Sequence, residues 1–482
     1  MQETTFLWHD YETFGAQARR DRPAQFAAIR TDAELNEIGQ PMMWYCQPAN
    51  DFLPDPQSCL ITHITPQTSL ERGIPEYEFA AKIEAELAHT GTIGVGYNTI
   101  RFDDEITRFM FWRNLIDPYA REWQNQCGRW DIMDMLRTTY ALRPEGIHWP
   151  TNDDGKPSFR LEHLTAANGI AHESAHDALS DVRATIALAR LVRQHQPKLF
   201  EFCLALHKKE KAANEIGVPL LGKPFLHVSG MFPTERGCLA VMWPLTIHPK
   251  NKNEVIAWDL AHDPSELATL DAASIQLRMF SKTDDLPEGV TRLPVKTIHL
   301  NKSPIVIGNL KTLSAPMAER WQIDLTQVHQ HAQKAATLMA DQADAMRTLW
   351  EQVYARPQHE AADVDEDLYG GFIGAGDRRL LNELRNMSPA QLAKTHPDFQ
   401  DSRLAELVFR YRARNFPDSL SEAEQAQWEE HRIARMLDGA GKARTVDDFF
   451  NQIDQLSDTA SESDEEILGA LYDYAEMVVP VR

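Results

Sequence analysis

Asp10 and Glu12 lie two positions apart at the end of the apolar run TTFLWHD, which predicts a β-strand. Side chains two residues apart in a strand point to the same side, so both carboxylates would project together. Two carboxylates this close repel each other unless a cation lies between them, and hard oxygen ligands suit Mg²⁺ or Mn²⁺. A divalent-metal site is one interpretation of the pair, and an ordinary solvated pair of acids is the other.

A second acidic pair follows the strand-like segment TIGVGYN, where a helix is expected to begin near Asp103. The helix dipole favours acidic residues in a first turn, so Asp103 and Asp104 have a capping explanation as well as a metal-binding one. The residue types alone do not separate the two positions.

The segment HDALSD (176–181) opens an amphipathic helical pattern. On one continuous helix His176 and Asp181 would diverge by about 140°, because each turn contains about 3.6 residues. His176 must therefore lie on the loop before the helix if both side chains are to reach one site. Asp177 lies four residues before Asp181 and is a rival ligand, and His176 and Asp177 could also be helix caps.

These candidate residues need elements that bring distant segments together. The chain has 482 residues, more than one compact core usually contains, since most domains run to about 100–200 residues. Strand patterns first alternate with helical ones, including a helix expected to end at Gly91. Short strands with Pro and Gly between them follow, and the pattern becomes helical from about Met317. We therefore predict an α/β domain at 1–195, a small β domain at 196–350 and a helical domain at 353–482.

The charge of the chain, taken as a whole, argues against a nucleic-acid partner. The sequence has 49 Lys and Arg against 71 Asp and Glu, a net charge of −22, and phosphate backbones repel acids. Residues 201–350 are balanced, with 16 acids and 16 bases, whereas residues 351–482 have 27 acids and 14 bases. This distribution leaves room for a basic path within an acidic surface.

Targeting signals and cysteine usage indicate the cellular compartment in which the protein is expected. No apolar run approaches the roughly 18–20 residues of a membrane span, and the start has no signal-peptide pattern. The five cysteines are scattered and form no CxxC, which favours reduced thiols. We expect a cytoplasmic protein without a membrane partner.

Asp10, Glu12, Asp103, His176 and Asp181 together form an ordered set of four acids and one histidine. This set resembles the histidine-bearing subclass of the DEDD exonuclease superfamily. A wider resemblance, to the bacterial exonuclease I (exodeoxyribonuclease I) family, is carried by HDYETFG, DRPAQFAAIRTD, LITHITPQ, GYNTIRFDDE, RWDIMDMLR, YALRPEGI, PSFRLEHLT, HVSGMF and YRARNFP. It implies an RNase H-like exonuclease domain, an SH3-like middle domain and a helical C-terminal domain.

The resemblance also implies the reaction. A member of this family degrades single-stranded DNA from the 3′ end to 5′-mononucleotides, in DNA repair and recombination, with two Mg²⁺ per site and Mn²⁺ as a possible substitute. Asp10 would bridge both ions, Glu12 and Asp181 would complete one, and Asp103, chosen over Asp104 by the resemblance alone, would hold the other. His176 would be the general base, and Glu12 would also meet the terminal 3′ hydroxyl.

Substrate and partner contacts are expected at several basic and aromatic residues. The resemblance places Arg160 on a substrate phosphate, with a structural ion pair as the alternative, and Arg143 on the acidic C-terminal tail of single-stranded-DNA-binding protein. Phosphates need bases and unstacked nucleotides need aromatic rings. The expected contacts with single-stranded DNA are Arg108, Tyr119, Trp123, Arg137, Arg412 and Arg414, of which the last two could instead offset nearby acids.

Three rival functions share some of these features. A 3′–5′ exoribonuclease of the same superfamily would use the same acids, and a 2′-hydroxyl preference is not readable from the sequence. A polymerase proofreading subunit would not need the middle and helical domains. An inactive DNA-binding scaffold would not need all five catalytic positions. We expect a monomeric enzyme.

Overall fold

The computed structural model describes residues 4–172, 177–355 and 362–481. The chain divides into two compact units. The first contains the described residues of Met1–Gly128, His172–Ala184 and His359–Arg482, and the second those of Arg129–Ala171 and Thr185–Gln358. The N-terminal segment and the helical C-terminal segment therefore belong to one unit.

Both units contain strands and helices. The strands are β1 (Thr5–Thr13), β2 (Pro23–Thr31), β3 (Glu37–Tyr45), β4 (Thr92–Gly96), β5 (Gly128–Asp131), β6 (Phe225–Val228), β7 (Leu239–Ile247), β8 (Glu254–Asp259), β9 (Val295–His299) and β10 (Ile305–Ile307). The α-helices are α1 (Pro56–Thr62), α2 (Pro66–Arg72), α3 (Glu76–Leu87), α4 (Asp103–Arg113), α5 (Ile132–Leu142), α6 (Leu161–Ala167), α7 (Ala178–His195), α8 (Pro197–Ala205), α9 (Lys209–Ile216), α10 (Ala272–Phe280), α11 (Ala315–Arg320), α12 (Leu325–Asp341), α13 (Ala343–Val353), α14 (Ala375–Arg385), α15 (Pro389–Leu392), α16 (Arg403–Asn415), α17 (Glu422–Met436), α18 (Val446–Ser457) and α19 (Glu462–Val478).

Strand β1 lies inside the mixed sheet of the first unit. It pairs antiparallel with β2 and parallel with β4, and β2 pairs antiparallel with β3, so these strands follow the order β3-β2-β1-β4. All of β4 and most of β1 are buried, as expected for strands covered on both faces. The predicted strands at TTFLWHD and TIGVGYN are confirmed.

The connection from β4 to α4 depends on a close backbone approach. A Cβ on Gly96 would lie 2.8 Å from the His9 carbonyl oxygen and 2.0 Å from Thr99 Cγ2, so only glycine fits here without displacement of its neighbours. The chain then enters α4 at Asp103, where the helix was predicted to begin.

The expected helix end at Gly91 is wrong. Helix α3 ends at Leu87, and Ala88 caps it through a backbone bond to Glu84. Gly91 instead has a φ of 78° and begins the turn into β4, where its carbonyl accepts a bond from Thr5 N–H at 3.1 Å. A glycine after a helical pattern marks a left-handed residue, but not which turn uses it.

The C-terminal helices pack on the N-terminal segment within the first unit. One apolar cluster joins α1 and the segment around Phe52 to α18 and α19, through buried residues such as Phe449 and Leu471. Another joins α4 to α14 and α16, through residues such as Trp112 and Leu407. The strongly apolar faces of these helices are therefore used inside the unit.

The second unit contains an antiparallel sheet with the order β10-β6-β7-β8-β9. Trp243 and Trp258 are cross-strand partners on β7 and β8, and both are buried. Helices α11 to α13 follow the last strand. The prediction of short strands followed by helices from about Met317 is confirmed, with the first of these helices beginning at Ala315.

All five cysteines are buried and have free thiols. In the part of the chain that the structure describes, no helix combines the length and the apolar character that a bilayer span requires.

Arg414 lies at the centre of a buried ion-pair network in the first unit. Its Nη2 is 2.8 Å from Asp51 Oδ2 and its Nη1 is 3.0 Å from Asp365 Oδ1. The side chains of all three residues are at most 5% exposed. Burial opposes ionisation of both carboxyls, but Arg414 and the other basic side chains around it together hold the pKa of Asp51 and of Asp365 well below the usual range.

We predict that Arg414→Leu lowers the free energy of unfolding by about 3–5 kcal/mol, because two buried carboxylates lose their main partner. Urea denaturation at pH 7 measures this loss. Depressed carboxyl pKa values stabilise the fold above the unfolded value of 3.8, and this contribution is lost as the pH falls through the folded values. The difference between wild type and variant should therefore shrink in acid.

The matched control is Arg379→Leu on α14, whose side chain is 77% exposed and lies 3.8 Å from Glu383. Its effect should stay within about 0.5 kcal/mol. Equal losses in the two variants would contradict the assignment of Arg414 as the centre of the network.

Candidate active site

Three carboxylates from β1 and α7 converge in the first unit. One oxygen each from Asp10, Glu12 and Asp181 can be chosen so that all three lie within 4.8 Å of one another. Asp10 and Glu12 are on β1, where the strand alternation directs them to one side, and Asp181 is in the first turn of α7. The strand and the helix thus bring together residues that lie about 170 positions apart in the sequence.

The structure separates Asp103 from Asp104, which the residue types alone did not. Asp103 Oδ1 accepts a hydrogen bond from the backbone N–H of Tyr11, at 3.1 Å, on the strand that carries the carboxylates. Asp104 is instead paired with Arg121 at 2.5 Å, and both side chains are at most 2% exposed. Asp103 therefore faces the carboxylate cluster, while the charge of Asp104 is compensated elsewhere.

The pKa shifts show how strongly the cluster resists ionisation. Burial, followed by the charges of Asp103, Glu12 and Asp181, raises the pKa of Asp10 well above its usual value. Burial and then the charge of Asp181 raise the pKa of Glu12 to about 9. A divalent cation among these oxygens would oppose the repulsion, and a set of hard carboxylate donors fits Mg²⁺ or Mn²⁺.

The start of α7 distinguishes Asp181 from its rival Asp177. Asp177 Oδ2 accepts the backbone N–H of Ser180 at 3.1 Å, which is a helix-capping bond. Asp181 instead belongs to the carboxylate cluster and has His172 Nε2 at 2.5 Å from its Oδ1. His176 lies outside the described residues, and α7 begins two residues after it, at Ala178.

His172 is a site residue that the sequence reasoning missed. It lies in the segment GIAHESAHD, four residues before His176, and nothing in the spacing singles it out. The only available signal was a second histidine near the start of the same helix. Its contact with Asp181 is apparent only from the three-dimensional structure.

The expected DNA contacts of the first unit differ in their surroundings. Arg108 is buried, with Nε 2.7 Å from Glu122 and Nη1 2.8 Å from Glu105. Burial opposes its charge, but Glu122 outweighs it and raises the pKa of Arg108. The guanidinium also lies 5.1 Å from the centre of the Tyr119 ring, and Trp123 is 66% exposed. Trp123 is thus available for stacking, whereas Arg108 already has carboxylate partners.

Arg412 and Arg414, expected on a DNA channel, also engage acids. Arg412 Nη1 lies 2.7 Å from Glu424 Oε1, and Arg414 belongs to the buried network described above. Both side chains are at most 7% exposed. This placement agrees with the alternative that they offset nearby acids, and a DNA contact at either residue stays a prediction.

The remaining predicted residues lie in the second unit. Arg137 pairs with Asp134 at 2.6 Å, and the Arg160 side chain is 73% exposed and 4.0 Å from Glu162. Arg143 Nη1 donates to the Thr312 carbonyl at 3.3 Å. Arg160 is therefore the most accessible of these three cations.

Three family models match the chain in sequence order. The model described as an exonuclease spans residues 7–189, the exonuclease I SH3-like domain spans 207–356, and the exonuclease I C-terminal domain spans 362–478. The fold therefore consists of an exonuclease domain with a mixed sheet, an SH3-like domain with an antiparallel sheet and a helical C-terminal region.

Similar proteins match over nearly the whole chain. Exodeoxyribonuclease I of Escherichia coli strain K12 is 44% identical over 485 residues, covering 99% of each chain. The structure of an exonuclease I from Methylocaldum szegediense has a TM-score of 0.92 and 47% identity, covering 99% of this chain and 100% of that one. A zinc-bound complex of the Escherichia coli enzyme with single-stranded DNA has a TM-score of 0.89, 43% identity and the same coverage.

The class follows from the first match, because residues 7–189 contain every carboxylate of the cluster. The chain is an exonuclease, of a metal-dependent kind. The full-length identity and the two further domain matches then define the particular family: this chain belongs to the exodeoxyribonuclease I family. The resemblance found in the sequence motifs is confirmed.

We predict that Glu12→Gln stabilises the metal-free protein. A carboxyl whose pKa rises from 4.5 to about 9 on folding costs stability as the pH increases between these values. In a chelator at pH 8, the variant should exceed wild type by several kcal/mol in free energy of unfolding, up to about 4–5 kcal/mol at about 1.4 kcal/mol per pKa unit, and the two should converge near pH 4. Urea denaturation at both values measures the difference.

Saturating Mg²⁺ should reverse the order, because wild type then gains more from the ion than the variant does. A Glu12→Gln protein that is less stable than wild type in chelator at pH 8 would contradict the repulsion inferred for this cluster.

Proposed function

We propose that this chain degrades single-stranded DNA stepwise from the 3′ end to 5′-mononucleotides by two-metal-ion hydrolysis, in DNA repair and recombination. The observation that carries the proposal is the cluster of Asp10, Glu12 and Asp181 within 4.8 Å, with Asp103 beside it. A related structure in complex with single-stranded DNA supports the substrate class.

The proposed cofactor is Mg²⁺, two ions per site, with Mn²⁺ as a substitute. The residues that would hold the ions are Asp10, Glu12, Asp103 and Asp181. When bound, such ions neutralise charge that develops on the reacting phosphate and favour ionisation of the attacking water. The oxygen-only donor set supports Mg²⁺, although a related enzyme has been observed with zinc.

The remaining steps belong to the protein's own groups. His176, which precedes α7 in the sequence, would accept the proton of the attacking water, since an imidazole with an ordinary pKa near 6.5 suits that role near neutral pH. Glu12 would contact the terminal 3′ hydroxyl, which would restrict the reaction to strand ends. Arg160 would bind a substrate phosphate, and its 73% exposed side chain supports an available cation.

Beyond the reacting nucleotide, we propose Tyr119 and Trp123 as stacking residues and Arg108 and Arg137 as phosphate contacts. The exposure of Trp123 supports its role most directly. Contacts at Arg412 or Arg414 would require their carboxylate pairs to be shared or opened, so they form the weakest part of the proposed path.

The wider setting is also proposed. Arg143 would bind the acidic tail of single-stranded-DNA-binding protein through charge-assisted hydrogen bonds. The protein would act as a monomer in the bacterial cytoplasm. The domain limits stay at 1–195, 196–350 and 353–482.

We predict that Asp10→Asn and Asp181→Asn each reduce digestion of single-stranded DNA below detection without unfolding the protein, because each removes a metal-binding charge. The assay follows 3′- and 5′-labelled DNA on sequencing gels, with Mg²⁺ or chelator, beside a circular-dichroism melt. The matched control is Asp177→Asn, which keeps a side-chain oxygen for the helix cap at Ser180 and should retain activity within a few-fold.

Several outcomes would overturn parts of this function. Near-normal rates in Asp10→Asn or Asp181→Asn would refute the site. Faster digestion of RNA than of DNA would favour the exoribonuclease, release from the 5′ end would reverse the polarity, and DNA binding without cleavage by wild type would favour the scaffold.

We predict that His176→Ala lowers the single-turnover cleavage rate by about 10²–10⁴-fold while the Kd for single-stranded DNA stays within a few-fold, as expected for a general base. Quench-flow cleavage and fluorescence anisotropy measure the two quantities. A variant that instead loses DNA affinity and keeps its cleavage rate would make His176 a binding residue.

A further inference from the structure

His172 contacts the carboxylate cluster from outside. Its Nε2 lies 2.5 Å from Asp181 Oδ1, while Asp181 also provides an oxygen within 4.8 Å of Asp10 and Glu12. The His172 side chain is 6% exposed and that of Asp181 is 19% exposed. This bond is therefore largely shielded from water. A hydrogen bond to a charged group is stronger in such a shielded place than at the surface.

The backbone of Asp181 is held by α7, and one of the contacts of its carboxylate is with His172. The Asp181 N–H donates to the Asp177 carbonyl at 3.0 Å, which fixes the first turn of the helix. The side chain can still rotate about its own bonds. A donor at Oδ1 therefore determines which way the carboxylate plane faces.

The charges of the site make such a donor necessary. One oxygen each of Asp10, Glu12 and Asp181 lies within 4.8 Å of the others, and carboxylates at this separation repel one another when ionised. Repulsion favours rotation of Asp181, whose side chain is 19% exposed, away from Asp10 and Glu12. A hydrogen bond from His172 opposes that rotation before a cation arrives.

We propose that His172 is a positioning residue, which holds the Asp181 carboxylate in the orientation that binds the divalent metal. The inference rests on the proposed metal-dependent function. Hydrogen bonds to metal-ligating groups commonly contribute about 10–100-fold to metal affinity. His172 thus acts through Asp181 and makes no contact with substrate or metal itself.

The test measures metal affinity without DNA. Binding of Mn²⁺ to the full chain is followed by electron paramagnetic resonance of the free ion in wild type, His172→Phe and His172→Gln. Phenylalanine keeps a buried ring but has no donor, so the Kd of the His172→Phe protein for Mn²⁺ should rise about 10-fold or more. Glutamine restores an N–H at the end of the side chain, so the Kd of the His172→Gln protein should return most of the way to the wild-type value.

The matched control is His331→Phe in the second unit. His331 is also buried, and its Nδ1 lies 2.8 Å from the Leu260 carbonyl oxygen, so the same ring replacement removes a hydrogen bond far from the carboxylate cluster in sequence. Its Kd for Mn²⁺ should stay within about twofold of wild type. An equal loss in both variants would mean general destabilisation and would overturn the positioning role.

Wild-type affinity for Mn²⁺ in a folded His172→Phe protein would also overturn the positioning role of His172.

A second measurement needs no variant. Long-range ¹H–¹⁵N spectra of histidine-labelled wild type should show a protonated Nε2 on His172 that persists at saturating Mg²⁺. Loss of that proton on metal binding would refute the inference even if His172→Phe failed to fold.

The two proposals fail in different ways. If wild type binds no divalent ion, the metal-dependent function is wrong. If wild type binds Mn²⁺ and digests single-stranded DNA while His172→Phe binds the ion equally well, only the role of His172 is wrong.

Discussion

The structure depends on keeping like charges close together in a buried place. Asp10, Glu12 and Asp181 have oxygens within 4.8 Å, and burial together with their mutual repulsion raises the pKa of Asp10 and Glu12. Such an arrangement is unfavourable on its own and persists only when the surrounding fold determines it. A divalent cation among these oxygens would relieve the same repulsion, so the unfavourable charge and the proposed metal binding would have one cause.

The elements around the cluster limit how far the acids can separate. Two carboxylates are fixed by a strand with neighbours on both sides, and the Tyr11 backbone N–H, between them in the chain, holds Asp103. Asp104, one residue further, forms a buried ion pair with Arg121, which compensates its charge away from the cluster. Asp181 lies in the first turn of α7, and His172 supplies a bond to its carboxylate.

The net charge of −22 takes on a different meaning once the ion pairs are known. Some acids form the carboxylate cluster, and others hold buried arginines such as Arg108, Arg412 and Arg414. The arginines that the sequence predicts as contacts with single-stranded DNA are therefore not all free to bind phosphate. A basic path within an acidic surface stays a prediction, and it would have to depend on exposed residues such as Arg160.

The sequence by itself determined the order of the elements, the pairing of Asp10 with Glu12 on one strand face, the helix start at Asp103 and the family. These follow from local periodicity and from contiguous motifs, which need no knowledge of distant contacts. The residue types and spacing left Asp103 against Asp104 and Asp181 against Asp177 open, and the tertiary structure gave the physical difference within each pair. It alone paired Arg414 with Asp51 and brought His172 to the cluster. Each of these outcomes depends on a partner far away in the chain or on the direction of a side chain, and neither is encoded in the spacing of nearby residues.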